Sequence, residues 1–195
     1  MAFHMTVTPE RMTSMQVERR GRVVQAVIEL VRAGAGHDLL MKDIADRSGV
    51  ALGTIYRYFS SKDHVLAEAL VEWARGLDRA ARRGTGGATP AERLNAVLRR
   101  ALRAFEREPA FAGLLLYVSA STDPQAAATY GELATVVFGA LDAAASDGIR
   151  PGDHDDVMAI IGAVWSQGLA EWTRGRRTMA EVRSSLEAAV RLLVT

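Results

Sequence analysis

The stretch Asp43-Ile44-Ala45-Asp46-Arg47-Ser48-Gly49-Val50-Ala51-Leu52-Gly53-Thr54-Ile55-Tyr56-Arg57-Tyr58-Phe59-Ser60-Ser61-Lys62 decides the fold. Its first part, with Leu40 and Met41 ahead of it, reads as one short helix to Ser48 that turns Ile44 and Ala45 inward. Gly49 follows, where a left-handed residue is needed for a sharp turn. Leu52–Phe59 gives another two turns of helix, and Ser60 and Ser61 supply a cap for a long helix from Lys62 to about Arg83. In that helix Val65, Leu66, Ala69, Leu70, Trp73 and Leu77 form a buried stripe. Ahead of the stretch, an amphipathic helix begins at Ser14 and is stopped by Gly34 and Gly36. Two short helices joined by a tight glycine turn, after a longer support helix, have the geometry of a helix-turn-helix.

A helix that enters a major groove must be small and must keep an inner face to anchor it. Ile55 and Phe59, four residues apart, supply that anchor. Thr54, Tyr56, Arg57 and Tyr58 are left largely on other faces, with hydroxyl and guanidinium donors for phosphate oxygens and base edges. Tyr58 also admits a reading as half-buried packing. Gly53, without a side chain, lets the backbone come close to DNA. Lys42 and Lys62 stand at the starts of the flanking helices, where helix N-termini favour phosphate. Arg19, Arg20 and Arg22 reach toward a groove or are solvated surface charges.

Residues from about Arg20 to Leu70 resemble the N-terminal DNA-binding domain of TetR-family transcriptional repressors, and the quoted stretch matches that family's signature almost throughout. The resemblance implies a homodimer with one recognition helix per subunit and a C-terminal domain that holds a small-molecule effector. Carried over by position, Lys42, Thr54, Tyr56 and Tyr58 look like the family's groove and backbone contacts. Arg57 occupies a base-reading position, and Lys62 matches the phosphate-binding lysine. One departure stands out: the family often has Thr at the start of the second helix, whereas this chain has Leu40 and Met41. The wording Ala51–Phe59 is also similar to actinobacterial regulators of sterol or fatty-acyl catabolism, whose effectors are acyl-CoA thioesters.

Outside this segment, length and composition set bounds. The chain has 195 residues, 49% hydrophobic and 24% charged, enough for one ordinary domain or two small ones with a real core. With no Cys, disulfides and thiolate-ligated zinc or iron–sulfur sites are excluded. No apolar run approaches a membrane span or a signal peptide, so a cytoplasmic protein without membrane contact is expected. Through Lys62 there are nine basic and six acidic residues; the rest holds 15 and 17, so a basic end joins a faintly acidic body. Such an asymmetry fits two parts with two partners. The domain reading is a loose arm over 1–12, a helix-turn-helix domain over 13–62 and an effector-binding and dimerisation domain over 63–195.

The body is all-α by its periodicity, giving roughly nine helices in the whole chain. Gly84-Thr85-Gly86-Gly87-Ala88 is the clearest break. Thr89-Pro90-Ala91-Glu92 and Thr178-Met179-Ala180-Glu181 are capping boxes that open two further helices. The apolar helices Asp153–Thr173 and Thr178–Leu193 call for a cover, and pairing with a second copy in a four-helix bundle would bury both. Gly162, Ala163, Gly168 and Ala170 would permit that approach, although cover within one subunit also accounts for them. By the resemblance, an effector cavity is lined by the middle helices, with Leu98, Leu102, Phe105, Phe111, Leu115, Leu116, Tyr117, Val137, Leu141, Met158, Ile161 and Trp165 as candidates. So apolar a list implies a hydrophobic ligand.

No cofactor or metal is expected: Asp153-His154-Asp155-Asp156 reads as a helix start, its carboxylates favoured by the dipole. Ser119 and Ser121 lack a His or acid at matched spacing, so no catalytic cluster stands out. The expected function is a repressor released from a pseudo-palindromic operator by a hydrophobic effector. The alternative is an all-α ligand carrier or enzyme that keeps a vestigial DNA-binding module.

Overall fold

The computed structural model describes residues 12–81, 87–145, 147–150 and 152–194. The expected arm lies outside the described residues up to residue 11, as do Gly84, Thr85 and Gly86 of the expected break. Nine α-helices occur among the described residues, with no strand: α1 (Ser14–Leu30), α2 (Met41–Ser48), α3 (Leu52–Tyr58), α4 (Lys62–Ala81), α5 (Pro90–Arg107), α6 (Pro109–Ser119), α7 (Pro124–Ala145), α8 (His154–Thr173) and α9 (Met179–Leu193). No described helix is long and apolar enough to cross a membrane.

Local chemistry sets most of the boundaries. Thr13, Thr89 and Thr178 each accept from the backbone N–H three residues on, and Gln16, Glu92 and Glu181 reach back to the cap backbone. Each box satisfies two donors that a helix start would otherwise leave orphaned. α1 runs into one π-helical turn, Val31–Ala35, and the chain then leaves the helix through Gly34 and Gly36 at φ 96° and 58°. Gly49 closes α2 in the left-handed region at φ 65°, as its position in the turn requires. α2 starts without a hydroxyl cap: the Asp43 carboxylate accepts from the Leu40 N–H at 3.1 Å, and Leu40 itself is 63% exposed.

The chain forms two compact units. The first holds the residues through Trp73 together with Gly113–Leu133. Its core includes Val23, Ile44, Ile55, Phe59, Leu66, Leu70 and Leu114. The second comprises Ala74–Ala112 and Ala134–Thr195, with Leu94, Phe111, Ile161, Leu169 and Leu186 among its fully buried side chains. Within it α9 packs on both α5 and α8. Arg99 on α5 meets Glu187 on α9 at 3.2 Å.

Two expectations for this second unit are corrected. Gly168 and Ala170 are buried, and Gly168 faces Val182 of α9 in the same chain, so it serves the internal α8–α9 contact. Val137, expected to line an interior cavity, lies on the exposed side of α7.

A Cβ at Gly168 would fall 2.7 Å from Val182 Cγ1. Val182 is β-branched and has few rotamers into which to withdraw. Gly168→Ala is therefore expected to lower stability by about 1–3 kcal/mol in urea titrations. Adding Val182→Ala should cost less than the sum of the two single changes; simple additivity would show that the two residues do not limit each other.

Candidate nucleic-acid interface

α3 has only seven residues, too few to be stable alone, so tertiary contacts must hold it. The holding face is Ile55, Tyr58 and Phe59, which are 0%, 3% and 0% exposed. Tyr58 is thus corrected from a groove contact to part of the anchor. Residues three and four apart share a helix face, so Tyr58 follows Ile55 inward alongside Phe59.

Phe59 is the hub beneath the helix. Its ring meets Tyr58 edge-on at 6.5 Å and His64 at 5.4 Å, and the Arg20 guanidinium carbon lies 5.2 Å from its centroid. Arg20 also pairs with Glu68, so this arginine supports α3 from within and is not a free groove contact. His64, 7% exposed, accepts the Ser60 N–H on Nδ1 at 3.1 Å, which leaves its other nitrogen to carry the ring proton. That nitrogen, Nε2, lies 3.7 Å from Glu68. Ser61 Oγ accepts from the His64 N–H at 3.1 Å and caps α4.

The outer face carries most of the other candidates. Tyr56 is 41% exposed, Arg57 and Lys42 are exposed, and Thr54 is half-buried. Gly53 is exposed, with open space where a side chain would stand, so a polynucleotide backbone can approach closely. Leu52, which sequence reasoning did not single out, is 40% exposed beside them. Arg19 and Arg22 are exposed on α1.

Lys62 has a more defined setting than its sequence position implied. Its Nζ donates to the His37 carbonyl at 3.0 Å and stands 5.4 Å from the Tyr117 ring centroid. Tyr117 stacks on His37 at 4.7 Å with an interplanar angle of 18°. Its hydroxyl donates to Asp63 Oδ1 at 2.9 Å, and Ser121 Oγ donates to Asp63 Oδ2 at 2.6 Å. The tyrosine's pKa is raised, because the neutral phenol donates a hydrogen bond to the Asp63 carboxylate and burial opposes the phenolate. This position was expected to line an effector cavity, but ring and hydroxyl are both engaged within the first unit. His37, Asp63 and Ser121 are not legible as site residues in the sequence: the His37 carbonyl meets Lys62 across 25 positions, and Tyr117 and Ser121 meet Asp63 across 54 and 58.

In the second unit Leu98, Leu102, Phe105, Phe111, Leu141, Met158 and Ile161 are buried. Phe105 and Trp165 meet edge-on at 5.9 Å. Leu115 and Leu116, half-buried, belong to the first unit. A surface groove between α5 and α9, by contrast, is lined by polar residues such as Asn95, Arg99, Glu187 and Arg191, none of them in the apolar set. The run Asp153–Asp156 opens α8, and Asp153 pairs with Arg150 at 2.7 Å.

A short helix anchored on one face and presenting donors on the other, in an all-helical chain with a separate second unit, defines a helix-turn-helix regulator of transcription. Residues 28–69 match the model for bacterial regulatory proteins of the tetR family, and residues 87–193 match the tetracyclin repressor-like C-terminal domain. The HTH-type transcriptional repressor KstR of Mycobacterium tuberculosis is 32% identical over 180 residues, spanning 92% of this chain and 82% of the relative. The chain belongs to the TetR family and is a KstR-like transcriptional regulator. Solved structures share its fold. A TetR regulator from Rhodococcus sp. RHA1 aligns with TM-score 0.77 at 24% identity, over 91% of this chain and 95% of that one. FadR from Bacillus subtilis in complex with stearoyl-CoA aligns with TM-score 0.68 at 21% identity, over 87% and 97% of the two chains.

The support beneath α3 is pH-dependent. Burial acts to raise the Glu68 pKa, but the His64 hydrogen bond and the Arg20 charge outweigh it, and the net shift is below the ordinary 4.5. A depressed carboxylate contributes stability that is complete above its unfolded pKa and is lost as pH falls through the folded value. Glu68→Gln should therefore lower the urea midpoint at pH 7 and flatten its decline below about pH 4.5. An unchanged slope in the acid range would show that Glu68 is not the titrating support.

Proposed function

We propose that this regulator is a homodimeric repressor that binds a pseudo-palindromic operator and leaves it when a hydrophobic acyl-thioester effector binds. The outward face of α3 carries the DNA reading: with Ile55, Tyr58 and Phe59 buried, Tyr56, Arg57 and Gly53 are left together on the exposed side. Arg57 has the fork geometry to read a guanine edge. Tyr56, Thr54, Lys42 and Lys62 supply donors for phosphate oxygens, which fix register without reading sequence.

The dimer is supported by apolar surface on the last two helices. Ala159, Ile160 and Ala163 are exposed along α8, Ile160 at 46%, and Leu192 on α9 is 79% exposed. A second copy of the chain would cover these positions and set two recognition helices about 34–36 Å apart, one turn of the duplex. The effector class is supported by the apolar interior of the second unit around Leu98, Leu102, Phe105, Met158, Ile161 and Trp165, and by the stearoyl-CoA held by FadR. An effector releases DNA only if it binds the DNA-incompetent state more tightly.

Selection from a random duplex library by the wild-type protein, followed by titration at several salt concentrations, tests the DNA reading. Arg57→Ala should lose about 1–3 kcal/mol and relax preference at one base pair per half-site. Lys42→Ala should weaken all duplexes alike and reduce the salt slope by about 0.9 per subunit. Failure to enrich any duplex would overturn the repressor assignment.

Stearoyl-CoA and a steroid-acyl-CoA, each compared with free CoA, test the effector reading. A thioester present at about 100 times its Kd should stabilise the protein by about 2.7 kcal/mol and release the selected duplex. A thermal shift without release would remove the thioester from the regulatory role.

A further inference from the structure

We infer that Tyr117 is a positioning residue for operator binding: its ring, stacked on His37 and tied to Asp63, holds the Lys62 ammonium in place for a DNA phosphate. The inference rests on the reading of Lys62 as a phosphate contact. Every contact in it lies within the first compact unit.

A lysine carries a flexible four-carbon stem and loses much rotamer freedom when it is fixed on a phosphate. Here part of that freedom is already removed. The His37 carbonyl takes one N–H of the ammonium, and the face of Tyr117 lies alongside it. Both are neutral partners, so the charge stays available, and two of the three N–H donors remain for a phosphate. The ring in turn cannot swing freely. It is sandwiched with His37 at 18°, and its hydroxyl is fixed on Asp63, whose second oxygen is occupied by Ser121. Asp63, adjacent to Lys62 on α4, thus has a hydroxyl on each oxygen. Holding a side chain in its bound geometry raises affinity by reducing the ordering cost of binding.

The test is a double-mutant cycle on the selected duplex, with thermal melts of each variant to establish folding. Tyr117→Leu should weaken binding about three- to tenfold. Tyr117→Phe, which keeps the ring and loses its tie to Asp63, should lose less and keeps the test open if the Leu variant misfolds. In a Lys62→Ala background both changes should have no further effect, because Tyr117 acts through the ammonium. A structural role would cost the same in both backgrounds, and such additivity would overturn the inference. So would wild-type affinity in both Tyr117 variants while Lys62→Ala weakens binding and lowers the salt slope by about 0.9 per subunit. If Lys62→Ala changes neither affinity nor slope, the phosphate reading itself falls, and the positioning role with it.

Discussion

The burial of Phe59 at the end of α3 is the constraint on which the rest of the helix-turn-helix unit depends. A seven-residue helix has too few hydrogen bonds to offset its own nucleation, so its existence and its orientation both come from tertiary contacts. Phe59 touches the ring before it, the histidine after it and an arginine from α1. The same ring therefore fixes three things at once: how α3 lies, where α4 starts and what α1 packs against. The polar groups around it are engaged with one another, with Ser60, buried His64, Glu68 and Arg20 forming one connected chain. A network of that kind is costly when partly satisfied and specifying when complete.

Holding a helix by one face decides what the other face can do. Tyr56 and Arg57 project outward because Ile55, Tyr58 and Phe59 point inward, and Gly53 leaves the backbone bare. The Leu40 start of α2 is a second consequence of local chemistry. Where the family often has a hydroxyl that caps the helix and meets phosphate, this chain caps with Asp43 and exposes an apolar side chain. Lys62, on the neighbouring α4, is held by groups from the turn after α1 and from α6.

Much of this was legible in the order of residues. The helix-turn-helix, the left-handed Gly49, the glycine exit from the first helix and the threonine capping boxes of α5 and α9 depend on interactions within a few positions. Tyr58 was the misleading residue. Its hydroxyl invites a surface role, whereas its spacing from Ile55 places it in the anchor, and spacing prevails because a helix face is set by backbone geometry. Arg20 misled in a similar way: its charge reads as solvated or DNA-facing until Glu68 and Phe59 are seen beneath it. Gly168 looked like a contact for a second subunit because a missing side chain does not say which neighbour approaches it.

By itself the sequence determined the class of the protein, the run of helices and the helix-turn-helix within it, because those follow from short-range periodicity, caps and turn stereochemistry. Tertiary structure alone decided the surroundings of Lys62. His37, Asp63, Tyr117 and Ser121 come from three separated segments, and no local rule relates a tyrosine to a lysine 55 positions before it. Their meeting is fixed by the packing of whole helices, an effect of long-range burial that no window along the chain contains.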